Sequence, residues 1–472
     1  MNPRTTEAKD PFKLVRSGIF ALKRNKWAKA KRKFEEALQI EEIQKNSAAW
    51  ANYGIALVNL KLYPDALKAF TQAVDLDKNN PELYTKKGLI ELQLNKFKEA
   101  ENSFKQALQK SKADPEIYIL LGRVYGKQDD HSKQVKILEK ALKKVPDSSK
   151  IPIELARVWA HQENSEKVEK VLKEAISTAR TPEPGLLLGQ HLLDQNNLDN
   201  ALEVYKLVLD RFPSSQHAQY GIGVAYHAKN EFNNALESYM KTLELFRGEK
   251  IPQSLFINLA RVSKQLGHKK EAIDFLFKAK KAGKTTLEIS LLLAELFLEI
   301  KRADRAFRAL EDAQNLDKDN PIIPYYLGMT SLQLNDPSAA EEHFKRSLLL
   351  DPTFHESKFQ LANLALQNKQ YNEAYILASE IARSKSDHIP ARRLAGKTAF
   401  LLQKFKESIE FLKPIVIENP QLEDLEILLR AWLMRNESKE AHSFVRNELK
   451  INKNLHDQME KKIFLRQFLK DK

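Results

Sequence analysis

The chain has 472 residues, a formal net charge of +14 at pH 7 and no cysteine, and 42% of its residues are hydrophobic. The lack of cysteine excludes disulfides and cysteine-ligated metal sites. No apolar run approaches the roughly 18 uncharged residues that a membrane-spanning helix needs. The N-terminal sequence MNPRTTEAKDPFKL has no hydrophobic core of a signal peptide, so a cytoplasmic location is expected.

One module of 34 residues occurs twice between residues 47 and 114. A repeat of this length indicates an array of helical hairpins, and the low numbers of glycine (14) and proline (18) fit an almost entirely helical chain. The two copies match at Trp50 and Tyr84, Gly54 and Gly88, Ala66 and Ala100, Phe70 and Phe104, and Ala73 and Ala107.

Each module is predicted to fold as two helices. In the first helix, Trp50, Gly54 and Leu57 fall on one face of a helix with 3.6 residues per turn. The second helix presents Ala66 and Phe70 in the same way. We expect the glycine to allow close approach of the two helices and Phe70 to fill the space beside it, because glycine within a helix otherwise costs about 1 kcal/mol relative to alanine.

The small residue of the first helix recurs along the whole chain, at spacings of 33 or 34 residues except for 36 after the first copy and 37 after the seventh. A weaker thirteenth copy has Leu429 at this position. The second-helix alanine is replaced in three copies, by Gln134, Val168 and Ser408. The small residues are Gly18, Gly54, Gly88, Gly122, Ala156, Gly189, Gly223, Ala260, Ala294, Gly328, Ala362 and Gly396.

These residues resemble the tetratricopeptide repeat, whose signature is Trp, Leu-Gly, Tyr, Ala, Phe, Ala and Pro at fixed offsets. The second copy has Trp50, Tyr53-Gly54, Leu57, Ala66, Phe70 and Ala73 at these offsets, and the resemblance extends over roughly residues 11–452. It implies an all-α fold, a right-handed superhelical solenoid of about 13 helix-turn-helix repeats.

Two interruptions of the period, near residues 42–46 and at 247–252, suggest where the array changes. The second predicts an N-terminal block of about seven repeats (11–252) and a C-terminal block of about six (253–452). A longer turn in one continuous solenoid is the alternative. Residues 453–472 predict an amphipathic capping helix, whose apolar face contains Leu455, Met459, Ile463, Phe464 and Phe468. Binding of this helix to a membrane or to a partner helix is the second interpretation.

Sequence motifs give no indication of catalysis. The chain has no GxxxxGK[ST] phosphate loop, no HExxH zinc helix and no GxSxG nucleophile turn. We therefore predict that the protein is not an enzyme and has no catalytic residues, cofactor, metal site or small-molecule substrate.

The family resemblance implies a concave groove lined by first-helix residues that lie one step round from the buried face. The sequence predicts that this groove is basic in the middle, then acidic at Glu288, Glu295 and Glu299, and then aromatic. Pairing of the basic residues with nearby acids is the alternative interpretation. The candidate partner-binding residues are Arg123, Lys127, Arg157, His161, Tyr220, His227, Arg261, Lys264, Tyr325, Tyr326 and Phe359.

The favoured function is a protein–protein interaction scaffold that binds a protein or peptide partner, with an acidic one favoured by arginine's affinity for carboxylates. Binding of RNA or another nucleic acid is the alternative, because the chain is basic. Against it, the groove has no recurring polar pair that could specify bases, and ten of the fourteen excess charges lie in residues 1–45 and 449–472. Self-assembly into a homo-oligomer through exposed ends of the stack is a third hypothesis.

Overall fold

The computed structural model describes residues 11–111, 114–246, 250–449 and 453–469. Within these ranges the chain is helical apart from short turns and contains no β-strand, which confirms the predicted all-α helical-repeat solenoid. It divides into two compact units, residues 1–249 (unit 1) and 250–472 (unit 2). The boundary at residue 252 remains a prediction, and residues 247–249 of the interruption there lie outside the described residues.

In its described part, unit 1 is a stack of seven antiparallel helical hairpins, with one extra helical turn after the first. The helices are α1 (Pro11–Lys23), α2 (Trp27–Leu38), the extra turn α3 (Glu41–Gln44), α4 (Ser47–Asn59), α5 (Tyr63–Leu76), α6 (Pro81–Gln93), α7 (Phe97–Lys110), α8 (Pro115–Lys127), α9 (His131–Lys144), α10 (Lys150–His161), α11 (Ser165–Thr178), α12 (Glu183–Asp194), α13 (Leu198–Arg211), α14 (Gln216–Ala228) and α15 (Phe232–Leu245).

The described part of unit 2 contains six hairpins followed by short C-terminal helices. The hairpins are built from α16 (Gln253–Gln265), α17 (Lys269–Ala282), α18 (Leu287–Glu299), α19 (Ala303–Leu316), α20 (Ile322–Gln333), α21 (Pro337–Leu350), α22 (His355–Gln367), α23 (Tyr371–Ser384), α24 (Ile389–Leu401), α25 (Phe405–Glu418), α26 (Leu422–Met434) and α27 (Ser438–Ser443), which continues as a π-helix (Phe444–Glu448).

The packing of small against large residues within each hairpin follows the sequence prediction. A methyl group added to Gly54 would lie 2.9 Å from the ring of Phe70, and one added to Gly88 would lie 2.8 Å from the ring of Phe104. Both rings are almost completely buried. Each ring comes from the second helix of the same hairpin, so each of these two hairpins fills its own centre.

A compensating exchange explains the departure at Gln134. Gln134 replaces the usual alanine of the second helix in the hairpin of α8 and α9. Opposite it lies Gly126, where an added methyl group would be 2.9 Å from the Gln134 side-chain nitrogen. The first helix has thus become smaller at the point where the second has become larger, and the spacing between them is kept.

The turn inside each hairpin contains one residue in the left-handed backbone conformation. After α4, the Lys61 amide donates to Val58 O and the Leu62 amide donates to Leu57 O, both at 2.9 Å, as in a Schellman motif. Thirteen such residues occur in the described chain, one per hairpin: Asn25, Lys61, Asn95, Asp129, Glu163, Asn196, Asn230, Gly267, Lys301, Asn335, Lys369, Gln403 and Asn436. This marker confirms the predicted number of repeats.

The interruption near residues 42–46 folds as part of the stack. It forms α3, whose Ile43 is completely buried. The indole nitrogen of Trp50 donates to the carbonyl oxygen of Gln44 at 3.0 Å. The extra residues therefore extend the core between the first two hairpins.

The C-terminal segment differs from the single amphipathic helix that we predicted. It forms α28 (Lys453–Lys461), α29 (Ile463–Arg466) and a 3₁₀ turn (Gln467–Leu469), and it packs against the last hairpin. Lys462 is extended between the two helices, with φ −102° and ψ 115°. The break buries Leu465 and Phe468, and it leaves Ile463, which we expected on the apolar face, 87% exposed. Residues 470–472 of the predicted cap lie outside the described residues.

Candidate partner-binding surface

The first helices of the hairpins form the more closely spaced layer of each stack. Neighbouring first helices contact each other at many steps, including α8 with α10, α12 with α14, α18 with α20 and α24 with α26. Among the described second helices, only α11 and α13 contact each other to a comparable extent. All of the predicted site residues lie on these first helices.

In unit 1, two of the predicted arginines share one carboxylate. The Nε of Arg123 on α8 donates to Oε1 of Glu154 on α10 at 3.0 Å, and Nη1 of Arg157 lies 3.2 Å from Oε2 of the same group. Glu154 is buried, whereas the side chains of Arg123 and Arg157 are 48% and 66% exposed. The hydrogen bond to Glu154 raises the pKa of Arg123 above its ordinary value.

Two further predicted residues extend this part of the surface. Lys127, one helical turn beyond Arg123, is exposed and has no ion-pair partner within the described ranges. His161, one turn beyond Arg157, is exposed, and its ring centre lies 6.3 Å from that of His131. We refer to Arg123, Lys127, Glu154, Arg157 and His161 as the unit 1 strip. The strip has three cationic side chains and one carboxylate.

Tyr220 and His227 on α14 lie elsewhere in unit 1. Both are half-buried against the fully buried ring of Tyr239, at centroid distances of 5.6 and 6.5 Å. These contacts place the two side chains at the edge of the hairpin core. The structure does not group them with the unit 1 strip through any contact described here.

In unit 2, the predicted basic and acidic positions are paired with each other, and Nζ of Lys264 lies within 4.0 Å of two acids, Glu295 and Glu299. Nη2 of Arg261 lies 2.5 Å from Oε1 of Glu288, and Nζ of Lys264 lies 2.5 Å from Oε2 of Glu295. Glu299 is paired with Lys269, at 2.8 Å. We expected a basic region followed by an acidic one. The structure instead has a ladder of ion pairs between α16, α17 and α18, which agrees with the alternative interpretation that the basic residues pair with nearby acids.

The aromatic residues predicted for unit 2 continue from this ladder. The rings of Tyr325 and Tyr326 lie 5.2 Å apart, and Tyr325 also contacts Phe354 at 5.6 Å. Burial, together with the nearby carboxylates of Glu295 and Glu299, raises the pKa of Tyr326.

Phe359 on α22 is half-buried and lies 5.3 Å from the ring of His388. The unit 2 strip consists of Arg261, Lys264, Glu288, Glu295, Glu299, Tyr325, Tyr326 and Phe359.

Another cross-hairpin pair was missed by the sequence reasoning. Nε of Arg393 on α24 donates to Oδ2 of Asp424 on α26 at 2.6 Å, and Asp424 is only 3% exposed. Arg393 and Asp424 are 31 residues apart, as are Arg123 and Glu154. A cation followed by an acid 31 residues later in a 34-residue repeat is the signal that could have found these pairs.

The search for metal-ligating groups covered the described residues. There, His456, Asp457 and Glu460 on α28 approach each other closely enough to share an ion, and all three are exposed. No helix in the described part of the chain is both long enough and apolar enough to span a bilayer.

Models of three protein families match successive parts of the chain. Residues 6–185 match the C-terminal domain of cilia and flagella-associated protein 70, residues 186–249 match the tetratricopeptide repeat, and residues 338–415 match subunit 3 of the anaphase-promoting complex or cyclosome. Together with the hairpin geometry, these matches identify the chain as a tetratricopeptide-repeat protein.

Relatives are distant and much longer than this chain. Over 199 residues it is 25% identical to human protein O-mannosyl-transferase TMTC3, a match that includes 39% of this chain and 21% of the relative. Over 148 residues it is 26% identical to the CTR9 homolog of Arabidopsis thaliana, which includes 31% of this chain and 10% of the relative. The chain therefore matches about a fifth and a tenth of the length of these relatives.

Similar solved structures include the APC/C hetero-tetramer Cut9-Hcn1 and yeast Tom70. The first is 14% identical with a TM-score of 0.43, and the match covers 89% of this chain and 96% of that one. The second is 14% identical with a TM-score of 0.39, covering 96% of this chain and 99% of that one.

Proposed function

We propose that the protein is an interaction scaffold without catalytic activity of its own, and that the unit 1 strip binds an acidic segment of a protein partner. The observation that carries the proposal is the surplus of positive charge in this strip. The unit 1 strip has three cations but only one carboxylate, that of Glu154. In the unit 2 strip each cation lies next to an acid. A partner carboxylate would therefore be attracted more strongly by the unit 1 strip than by the unit 2 strip.

Glu154 also holds the arginines in place for a partner. A guanidinium has five N–H donors, and Arg157 uses only Nη1 in its contact with Glu154. The remaining donors lie on exposed side chains. Since Glu154 fixes the two arginines before binding, less side-chain freedom is lost when a second carboxylate arrives.

Lys127→Glu is the cleanest test of this proposal. Lys127 is exposed and has no ion pair within the described chain, so its reversal leaves Glu154 fully paired and the fold intact. Partners recovered by affinity purification with the wild-type protein are identified by mass spectrometry, and the affinity of each for both proteins is measured by calorimetry. We expect loss of about tenfold in affinity for an acidic partner, since a surface charge reversal typically changes binding by ~1 kcal/mol or more.

Lys140→Glu provides the matched control, because it makes the same charge change on an exposed position of a second helix in the same unit. The control should keep the wild-type affinity. Equal weakening by both variants would show a general charge effect. Unchanged binding of every partner by Lys127→Glu would remove the unit 1 strip as the site.

A further inference from the structure

The first hairpin concentrates positive charge more strongly than any other part of the described chain. Residues 11–34 contain nine lysines and arginines and no acidic residue. Lys31, Arg32 and Lys33 of α2 are paired with Glu35 and Glu36 on the same helix. The cations nearer the turn between α1 and α2 have no such pairs.

Four of these cations surround the tip of the hairpin, and we refer to them as the tip cluster: Lys23, Arg24, Lys26 and Lys29. All four are exposed, and none forms an ion pair within the described ranges. The left-handed Asn25 (φ 56°) reverses the chain here, so the side chains on either side of it project from a convex turn.

An exposed aromatic ring lies next to the tip cluster. Phe20 of α1 is 55% exposed, and the guanidinium carbon of Arg24 lies 4.1 Å from the centre of its ring. Large exposed apolar side chains next to several lysines are typical of helices that bind membrane interfaces.

Corresponding turns elsewhere in unit 1 contain fewer cations. The turn between α4 and α5 has one, Lys61, and the turn between α6 and α7 has one, Lys96, whereas the turn between α8 and α9 contains Asp129 and Asp130. The tip cluster is therefore a property of the first hairpin and not of the repeat.

We propose that the tip cluster and Phe20 dock the protein onto an anionic lipid surface. Lysines act as solvated point charges that can face lipid phosphates without a fixed geometry, and each contributes about a fivefold gain in binding near such a surface. Phe20 enters the interface between headgroups and acyl chains. The inference is independent of the proposed scaffold function, because it uses a different hairpin and none of the residues of the unit 1 strip.

Two other polyanions fit the same residues less well. Nucleic acid bound by this kind of surface gains from stacking of bases on aromatic rings, and the Arg24 guanidinium already covers one face of Phe20. An acidic peptide gains from a groove that surrounds it, and the tip cluster lies on an exposed convex turn. A flat layer of headgroups matches a convex turn best.

The test is co-sedimentation of the full-length protein with phosphatidylcholine vesicles that do or do not contain phosphatidylserine. We expect binding to the vesicles with phosphatidylserine only. The variant Lys23→Gln/Lys26→Gln/Lys29→Gln should bind the vesicles with phosphatidylserine about a hundredfold more weakly than the wild type. Phe20→Ser should weaken the binding that persists at high salt, since salt screens the charges but not apolar insertion.

The matched control is Lys136→Gln/Lys140→Gln/Lys144→Gln, which removes the same charge from exposed positions of α9. Circular dichroism and thermal melting establish that all variants are folded. The proposal is overturned if the control loses as much binding as the tip variant, or if the tip variant binds like the wild type. It is also overturned if single-stranded RNA binds more tightly than the vesicles at equal salt and loses this binding in the tip variant.

Discussion

The unit 1 and unit 2 strips both lie on first helices of the hairpins, yet their charges are arranged differently. In unit 1 two arginines converge on Glu154, which is buried. In unit 2 Arg261 faces Glu288 and Lys264 faces Glu295, and these acids are 41% and 31% exposed. The number and the burial of the carboxylates distinguish the two strips.

The difference teaches that a basic residue on a repeat face has to be judged with the next repeat in place. Exposed one-to-one ion pairs contribute about 0–1 kcal/mol to stability and leave little net charge. A buried carboxylate, in contrast, needs its cation, and a second cation remains available for a ligand. Unit 2 therefore offers aromatic surface at Tyr325 and Tyr326, whereas unit 1 offers charge.

The largest effect is expected where an acid is most buried. Arg393→Ala removes the cation from Asp424, which is only 3% exposed, and should destabilise α24 to α26 by about 3 kcal/mol, because a buried charge is left unpaired. Hydrogen exchange of these helices measures the effect locally. Asp424→Asn in the same background should recover much of the loss. Unchanged exchange in Arg393→Ala would mean that burial does not set the strength of these pairs.

The shared carboxylate should make the two arginines of unit 1 non-additive. Arg123→Ala and Arg157→Ala should each cost about 1 kcal/mol, and the double variant about 3 kcal/mol, since either arginine alone can still neutralise Glu154. Urea unfolding, monitored by circular dichroism, gives the free energies of unfolding of the wild type, the two single variants and the double variant. Arg261→Ala in unit 2, which breaks an exposed pair with Glu288, should cost at most about 0.5 kcal/mol. If the losses in the free energy of unfolding are additive in unit 1, the proposed difference between the two strips is wrong.

A buried acid that is paired with a lysine, with Nζ of Lys87 3.8 Å from its Oε1, extends the comparison to pH. Glu91 on α6 is 4% exposed, and Ser103 Oγ donates to its Oε2 at 2.6 Å. Burial raises the pKa of Glu91 above its ordinary value. The folded protein then binds this proton more tightly than the unfolded chain, so its stabilising effect is present below the ordinary pKa and is lost as pH rises through the raised one.

Glu91→Gln, which carries no titratable group, should therefore melt at the same or a lower temperature than the wild type in acid. It should melt at a higher temperature near neutral pH, because the variant has no charge to bury. Thermal melts across this pH range check the sign. If the melting temperature of the variant falls relative to that of the wild type as the pH rises towards neutral, this expectation is contradicted.

The smallest effect concerns the left-handed turn residues, which should respond equally in both units. Glu163 in unit 1 (φ 55°) and Lys301 in unit 2 (φ 57°) hold a conformation that favours glycine. Glu163→Gly and Lys301→Gly should each stabilise the protein by up to ~1 kcal/mol. Gly267→Ala (φ 79°), which meets no atom within 4 Å, should destabilise by a similar amount. Unequal responses in a thermal melt would show that the units differ in their backbones as well as in their charges.

Local contacts within a hairpin were predictable from the sequence. Gly54 and Phe70 lie within one repeat, so the recurring size pattern was enough to pair them. The left-handed positions are also local, but they were missed because Lys61, Glu163 and Gln403 share no chemical signature with Asn25 or Gly267. The strips were predicted as surfaces, and their use by a partner remains a prediction.

The repeat length and the alternation of small and large side chains determined the number of hairpins and their internal packing, because both depend on residues close together in the chain. The tertiary structure alone decided which acid each cation meets, because those contacts join successive hairpins, as between Arg123 and Glu154. It also decided the break at Lys462, since Leu465 and Phe468 become buried only once the last hairpin is present to receive them. Contacts within a repeat can be inferred from its pattern, whereas those between repeats require the stack.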